Sequence, residues 1–190
     1  MRRVLAFTAC CALAAVGVGC GGDGERADVA GEPNATFDVE VVEARFPSEQ
    51  RLSQPADLVI RVRNAGEETM PNVAVSITGF YRRSEQPGLA DPNRPVYVVK
   101  RQPRNSETAY VQTWAMGPLR AGDAREFAWE VVPVEAGTHE LAYTVAAGLH
   151  GKAKARTTGG GRPGGTFTVE VAKAPAQATV DPDTGEVVRK

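Results

Sequence analysis

Histidine and cysteine are scarce in this chain of 190 residues: it holds two His and three Cys. That scarcity argues against a Cys/His-ligated zinc centre, and the sequence implies no metal and no cofactor. Net charge is also small, with 22 Lys+Arg against 23 Asp+Glu. A chain so balanced has no bulk field to draw it to nucleic acid. Long apolar runs are absent except at the N-terminus. No segment after it repeats apolar residues at the 3.6-residue period of an amphipathic helix. His139 and His150 have no Gly-x-Ser-x-Gly elbow to serve, so no enzyme is expected. What is plentiful is turn-forming: 20 Gly and 13 Pro suit a turn-rich β fold.

The N-terminus reads as an export leader. Arg2 and Arg3 precede an apolar run, Val4 to Val18, of about 15 residues. A spanning helix needs about 20, so residues 1–19 are expected to be a secretory signal peptide. The segment Gly17-Val18-Gly19-Cys20 resembles a bacterial lipoprotein signal. The resemblance implies that Cys20 receives a diacylglyceryl thioether and becomes the mature N-terminus. The protein would then be exported and lipid-anchored on the extracytoplasmic face of the cell membrane. An ordinary cleaved signal with an incidental Cys is the alternative. Cys10 and Cys11 leave with the leader, so Cys20 has no disulfide partner. Loss of Arg2 and Arg3 leaves 20 Lys+Arg against 23 Asp+Glu. Residues 20–35, rich in Gly, charge and small side chains, read as a flexible tether.

From residue 36 the apolar period becomes two, the signature of half-buried strands. Phe37, Val39 and Val41 share one face, and a slip to Val42, Ala44 and Phe46 predicts a β-bulge. Leu58, Ile60 and Val62 alternate with Asp57, Arg61 and Arg63, and Asn64-Ala65-Gly66 closes the strand. Val73, Val75 and Ile77 form the next face. Phe127, Trp129 and Val131 follow, with Pro133 at the strand's end. Leu141, Tyr143, Val145 and Ala147 precede Phe167, Val169 and Val171. Weaker strands are expected at Val96–Lys100 and Thr108–Trp114. The expected fold is all-β: a single immunoglobulin-like β-sandwich of seven or eight strands over residues 36–172. Residues 173–190 read as a disordered polar tail.

Three stretches strengthen this reading by resemblance. Ile60-Arg61-Val62-Arg63-Asn64-Ala65-Gly66 with Pro71-Asn72-Val73-Ala74-Val75 is the first. Gly117-Pro118-Leu119-Arg120-Ala121-Gly122-Asp123 and Ala136-Gly137-Thr138-His139-Glu140-Leu141 are the others. Together they resemble bacterial cell-surface Ig-like modules of the CARDB type. That resemblance implies the sandwich and little about activity, because such modules serve as spacers, adhesion units and accessory domains. Tyr143 would be a tyrosine-corner residue, its hydroxyl bonded to backbone; a plain core tyrosine is the alternative.

Two basic segments are the candidate contact surfaces. An insertion at 81–107 carries Arg82, Arg83, Lys100, Arg101 and Arg104. The loop 148–165 carries Lys152, Lys154 and Arg156 within a Gly-rich run. No Gly-Lys-Ser/Thr ending follows, so this is read as a basic hairpin tip rather than a phosphate loop. Both segments suit an anionic envelope polymer or protein. The expected function is a non-enzymatic, membrane-anchored binding, adhesion or envelope-organising module. The alternative is an accessory solute- or polymer-binding lipoprotein, with a cleft lined by aromatics such as Tyr81, Tyr97, Tyr110 and Trp114. The acidic run Asp181–Glu186 lacks the ligand spacing of a calcium loop and reads as a turn.

Overall fold

A computed structural model describes residues 31–174 and 178–189. The leader, Cys20 and most of the tether lie outside the described residues. Through the first half of the chain run β1 (Thr36–Arg45), β2 (Glu49–Arg51), β3 (Ala56–Asn64), β4 (Ala74–Thr78), β5 (Tyr81–Arg83), β6 (Asn93–Pro95) and β7 (Tyr97–Arg101). Then follow β8 (Glu107–Tyr110), β9 (Thr113–Ala115), β10 (Ala124–Pro133), β11 (Gly137–Ala146), β12 (Lys154–Thr157), β13 (Gly164–Ala172), β14 (Ala178–Val180) and β15 (Val187–Arg189).

Two sheets hold most of these strands. One has the order β12-β1-β3-β10-β7, the other β2-β13-β11-β4-β9-β8. Within them, β1-β3-β10-β7 reproduces the A-B-E-D sheet of a constant-type immunoglobulin domain, and β13-β11-β4 its G-F-C sheet. The domain is therefore an immunoglobulin-like sandwich, with short strands added at the edges. The departure from the standard path lies between β4 and β10. There the chain crosses to the first sheet as β7, then returns to the second as the β8–β9 hairpin.

The alternating pattern explains why these segments pair. Leu58, Ile60 and Val62 are fully buried on β3, as are Phe127 and Val131 on β10. Val75, Leu141, Val145, Val169 and Val171 face them from the second sheet. Each such side chain contributes roughly 1.5–3 kcal/mol on burial. On the solvent side of the first sheet opposite charges face one another across the strands. Glu43 pairs in register with Arg61 and Arg61 with Glu126, and Arg63 Nε donates to Glu40 at 2.9 Å. This gives the outer face the checkerboard that cross-strand pairing favours.

Several expectations need correction. The bulge falls where expected, between Val41 and Glu43. However, Val42 and Ala44 turn to solvent and only Phe46 is buried. The stretch 108–114 is not one strand. Gln112, at φ 59°, turns the chain and makes it a hairpin. The strand expected at Val96–Lys100 forms as β7, so the segment 81–107 is not a plain insertion: it supplies an edge strand of the first sheet with Tyr97 fully buried. The loop 148–165 contains β12, which crosses over and adds in parallel to β1. Within the polar tail, Ala178–Val180 and Val187–Arg189 pair as a hairpin. Asp181 closes that hairpin by accepting the N–H groups of Asp183 and Thr184 at 2.8 and 3.0 Å. Those two bonds hold its carboxyl below the usual carboxylate range.

The tyrosine corner is also not formed. Among the described residues the Tyr143 hydroxyl has no hydrogen-bond partner. Instead the ring stacks on Phe167 at 5.5 Å and covers Gly165, its register partner. A Cβ on Gly165 would come within 2.9 Å of that ring.

Candidate functional site

The strand order separates the two basic segments. β12 and β7 form opposite edges of the same sheet, four strand steps apart. At about 4.8 Å per step that is roughly 19 Å. Lys154 and Arg156 therefore belong to one surface, and Lys100 and Arg101 to another.

At the β7 edge, two of the expected contact residues are held by acids. Arg101 pairs with Glu130 of β10, its register partner. Arg82 Nε donates to Glu135 at 2.6 Å. Arg83, Lys100 and Arg104 are exposed and have no ion-pair partner among the described residues. β5 and β6 form a two-stranded hairpin outside both main sheets, and its register sets Arg82 opposite Arg94. Like charges placed so are unfavourable unless each finds another partner. Arg82 does so on Glu135, and Arg94 donates to the carbonyls of Asp91 and Asn93 at 2.8 and 2.9 Å. A shallow cleft of about 570 Å³ lies here, lined by Arg82, Arg83 and Arg94 with a single acid, Glu85.

At the β12 edge, Arg156 is committed to Asp38, its register partner on β1, with bonds of 2.6 and 3.3 Å. Hydrogen bonding from Arg156 holds the Asp38 carboxyl below the usual carboxylate range. Lys154 and Arg162 line a cleft of about 420 Å³ where β12 and the loop before it meet β4, β9 and β11, with Ser76, Tyr110 and Thr113 as its other polar walls. A second cleft, of about 800 Å³, shares Tyr110 and Leu149 with it and adds Glu32, Asn72 and His150. The Tyr110 hydroxyl and His150 Nδ1 lie 3.3 Å apart.

Between these two clefts the loop 148–153 turns its backbone amides inward onto one carboxylate. Glu32 Oε2 accepts the N–H groups of Leu149 and His150, both at 2.9 Å, and Oε1 accepts that of Ala153 at 2.8 Å. Burial pushes the Glu32 carboxyl up, but the amides of Ala153, His150, Leu149 and Lys152 outweigh it and the net shift is down. Two glycines make the cradle. Gly151 sits at φ 82°, in the left-handed region that such a concave run of amides uses. A Cβ on Gly148 would stand 2.4 Å from the Glu32 carboxylate. Ala35 then bonds to Lys154, its carbonyl accepting the N–H at 2.8 Å. The last residues of the expected tether, from Gly31 on, are thus docked on the domain.

Sequence reasoning did not assign Glu32, Tyr110 and Arg162 to one region. The spacing of Gly148 and Gly151 was the available signal. The aromatics named for a ligand cleft divide: Tyr97 and Trp114 are core residues, while Tyr110 lines both clefts and Tyr81 is exposed. His139 is tied into the structure, its Nε2 donating to the Glu135 carbonyl at 3.0 Å. Among the described residues no three or more His, Cys, Asp or Glu gather as a metal ion would need. No helix among them is long and apolar enough to cross a membrane.

No family model and no curated protein sequence matches the chain. Solved structures with a similar backbone do exist. A CARDB domain from Pyrococcus furiosus, crystallised in complex with di-metal ions, is 16% identical, covers 73% of this chain and 93% of its own, with a TM-score of 0.45. Escherichia coli alpha-2-macroglobulin is 15% identical over 74% of this chain and 10% of its own, with a TM-score of 0.43. A chain from the human seminal-plasma complex of zinc 2-glycoprotein with prolactin inducible protein is 13% identical, covering 71% and 94%, with a TM-score of 0.42. These are likenesses of backbone alone. The strand order of the two sheets itself makes the chain an all-β, immunoglobulin-like sandwich.

Proposed function

We propose that the protein is a lipid-anchored, non-enzymatic binding module on the extracytoplasmic face of the membrane. The arginine hairpin β5–β6 is its contact for an anionic envelope polymer or protein. The observation that carries the reading is the convergence of Arg82, Arg83 and Arg94 on one open cleft with a single acid. Arg82 is held by Glu135, so Arg83 and Arg94 supply the forked donors suited to carboxylate and phosphate groups. The anchor rests on the leader and Cys20. Two acyl chains or more exceed the single-chain limit of marginal membrane binding.

Each half has its own test. Mass spectrometry of the mature N-terminus should find a lipid-modified Cys20, absent in Cys20→Ala. An unmodified Cys20 in the native host sinks the anchor. Crosslinking from intact cells should capture less partner with Arg83→Glu/Arg94→Glu than with the wild-type chain, and high salt should mimic the variant. Unchanged capture removes the hairpin as the contact.

A further inference from the structure

We infer that the loop 148–153 is a carboxylate-receiving site, and that Glu32 is its tethered internal occupant. The site is built from backbone. Amides of Leu149, His150, Lys152 and Ala153 converge on one carboxylate. Gly148 leaves the room that a side chain would fill. Such an array of N–H groups recognises charge and shape, not the identity of the residue that bears the carboxylate.

The surroundings exceed what Glu32 uses. The cleft of about 420 Å³ has Gly148, Leu149, Gly151 and Ala153 in its wall, and also Lys154 and Arg162. Neither cation has an ion-pair partner among the described residues. The Glu32 side chain comes from a short segment that leads out of the domain, and Glu32 itself stays partly exposed. An external ligand can therefore take its place without unfolding a strand. The chemical class that fits is an organic dicarboxylate. One carboxylate sits on the amides in place of Glu32, which lines the neighbouring cleft, and Lys154 and Arg162 on the other side of the loop supply positive charge for the second. This site is independent of the arginine hairpin and of the lipid anchor.

The test uses the full chain, wild type and Glu32→Ala, isotopically labelled for amide NMR at constant ionic strength. The probes are acetate, succinate and inorganic phosphate. In Glu32→Ala, acetate should give saturable shifts at the amides of Leu149, His150, Lys152 and Ala153, and the wild type should respond far more weakly. Succinate should bind about tenfold more tightly than acetate, and Arg162→Gln should remove that advantage. If Glu32→Ala loosens the loop, acetate should restore the wild-type pattern. Adding Gly148→Val should abolish both responses. No saturable shift and no restoration with acetate or succinate would overturn the inference. A response to phosphate alone would overturn the carboxylate assignment.

Discussion

Trp114 of β9 meets Trp129 of β10 edge to face, with ring centroids 5.3 Å apart and planes at 77°. The two strands belong to different sheets, so this pair ties the sandwich across its middle. Phe127 stacks on Trp129 at 5.9 Å, and Phe80 meets Trp114 at 6.2 Å. Trp129→Ala should therefore cost about 3–5 kcal/mol, the range for emptying a large aromatic site. Equilibrium denaturation would measure it. A loss below about 1 kcal/mol would mean that the rings around it collapse to fill the space.

Tyr97 gives a pH dependence. Its hydroxyl is buried without a hydrogen-bond partner among the described residues, and burial pushes its pKa up to about 12. Tyrosine in an unfolded chain titrates near 10. The folded state thus keeps the proton longer, and this contribution to stability is complete below pH about 10 and lost as pH rises toward about 12. Tyr97→Phe should be neutral to stabilising at pH 7 and should lessen the alkaline loss. Tyrosinate absorbance across the alkaline range, with the same measurement on Tyr97→Phe, checks this.

Asn64, at the end of β3, is a fully buried polar residue. Its amide donates to the carbonyls of Glu68 and Leu119 at 2.8 and 2.9 Å, and its oxygen accepts the Gly66 N–H at 3.0 Å. Asn64→Leu leaves these groups unpaired and should cost about 1–3 kcal/mol. Asn64→Asp should be no better, because a carboxylate cannot donate to the two carbonyls. Thermal unfolding of both variants tests the point.

Glu32 should make the docking of the N-terminal segment acid-sensitive. Its folded pKa lies below the ordinary value of 4.5. Its contribution is present above that value and is lost as pH falls through the lower folded one. The stability gap between wild type and Glu32→Gln should therefore be open at pH 7 and close in acid. A gap unchanged at low pH would contradict the geometry.

The legible parts of the fold were those where burial imprints a side-chain pattern. Leu58, Ile60 and Val62, or Phe127, Trp129 and Val131, announce their strands because one face of each is apolar. β12 carries Lys-Ala-Arg-Thr and has no such pattern. It is an edge strand held to β1 by backbone bonds and by Arg156 with Asp38, so its composition reads as loop. The turn at Gln112 is a backbone angle, invisible in residue type. The same holds for the loop around Glu32. A phosphate-loop motif is defined by its Lys and Ser/Thr, residue types that a sequence displays. The amides that hold Glu32 belong to ordinary residues, and only Gly148 and Gly151 mark them.

The parallel pairing of β1 with β12 has a mechanical consequence. Any pull on the N-terminal segment enters the domain at Glu32 and then runs along β1. That strand is bonded on both flanks, to β12 and to β3. Tension along its axis loads both ladders in shear, with many bonds sharing the force, rather than peeling them one at a time. Among the described residues Glu32 precedes both ladders on this path, and its three bonds are fewer than theirs, so it yields before the sheet does. The attachment is thus a release link set ahead of a stiff one.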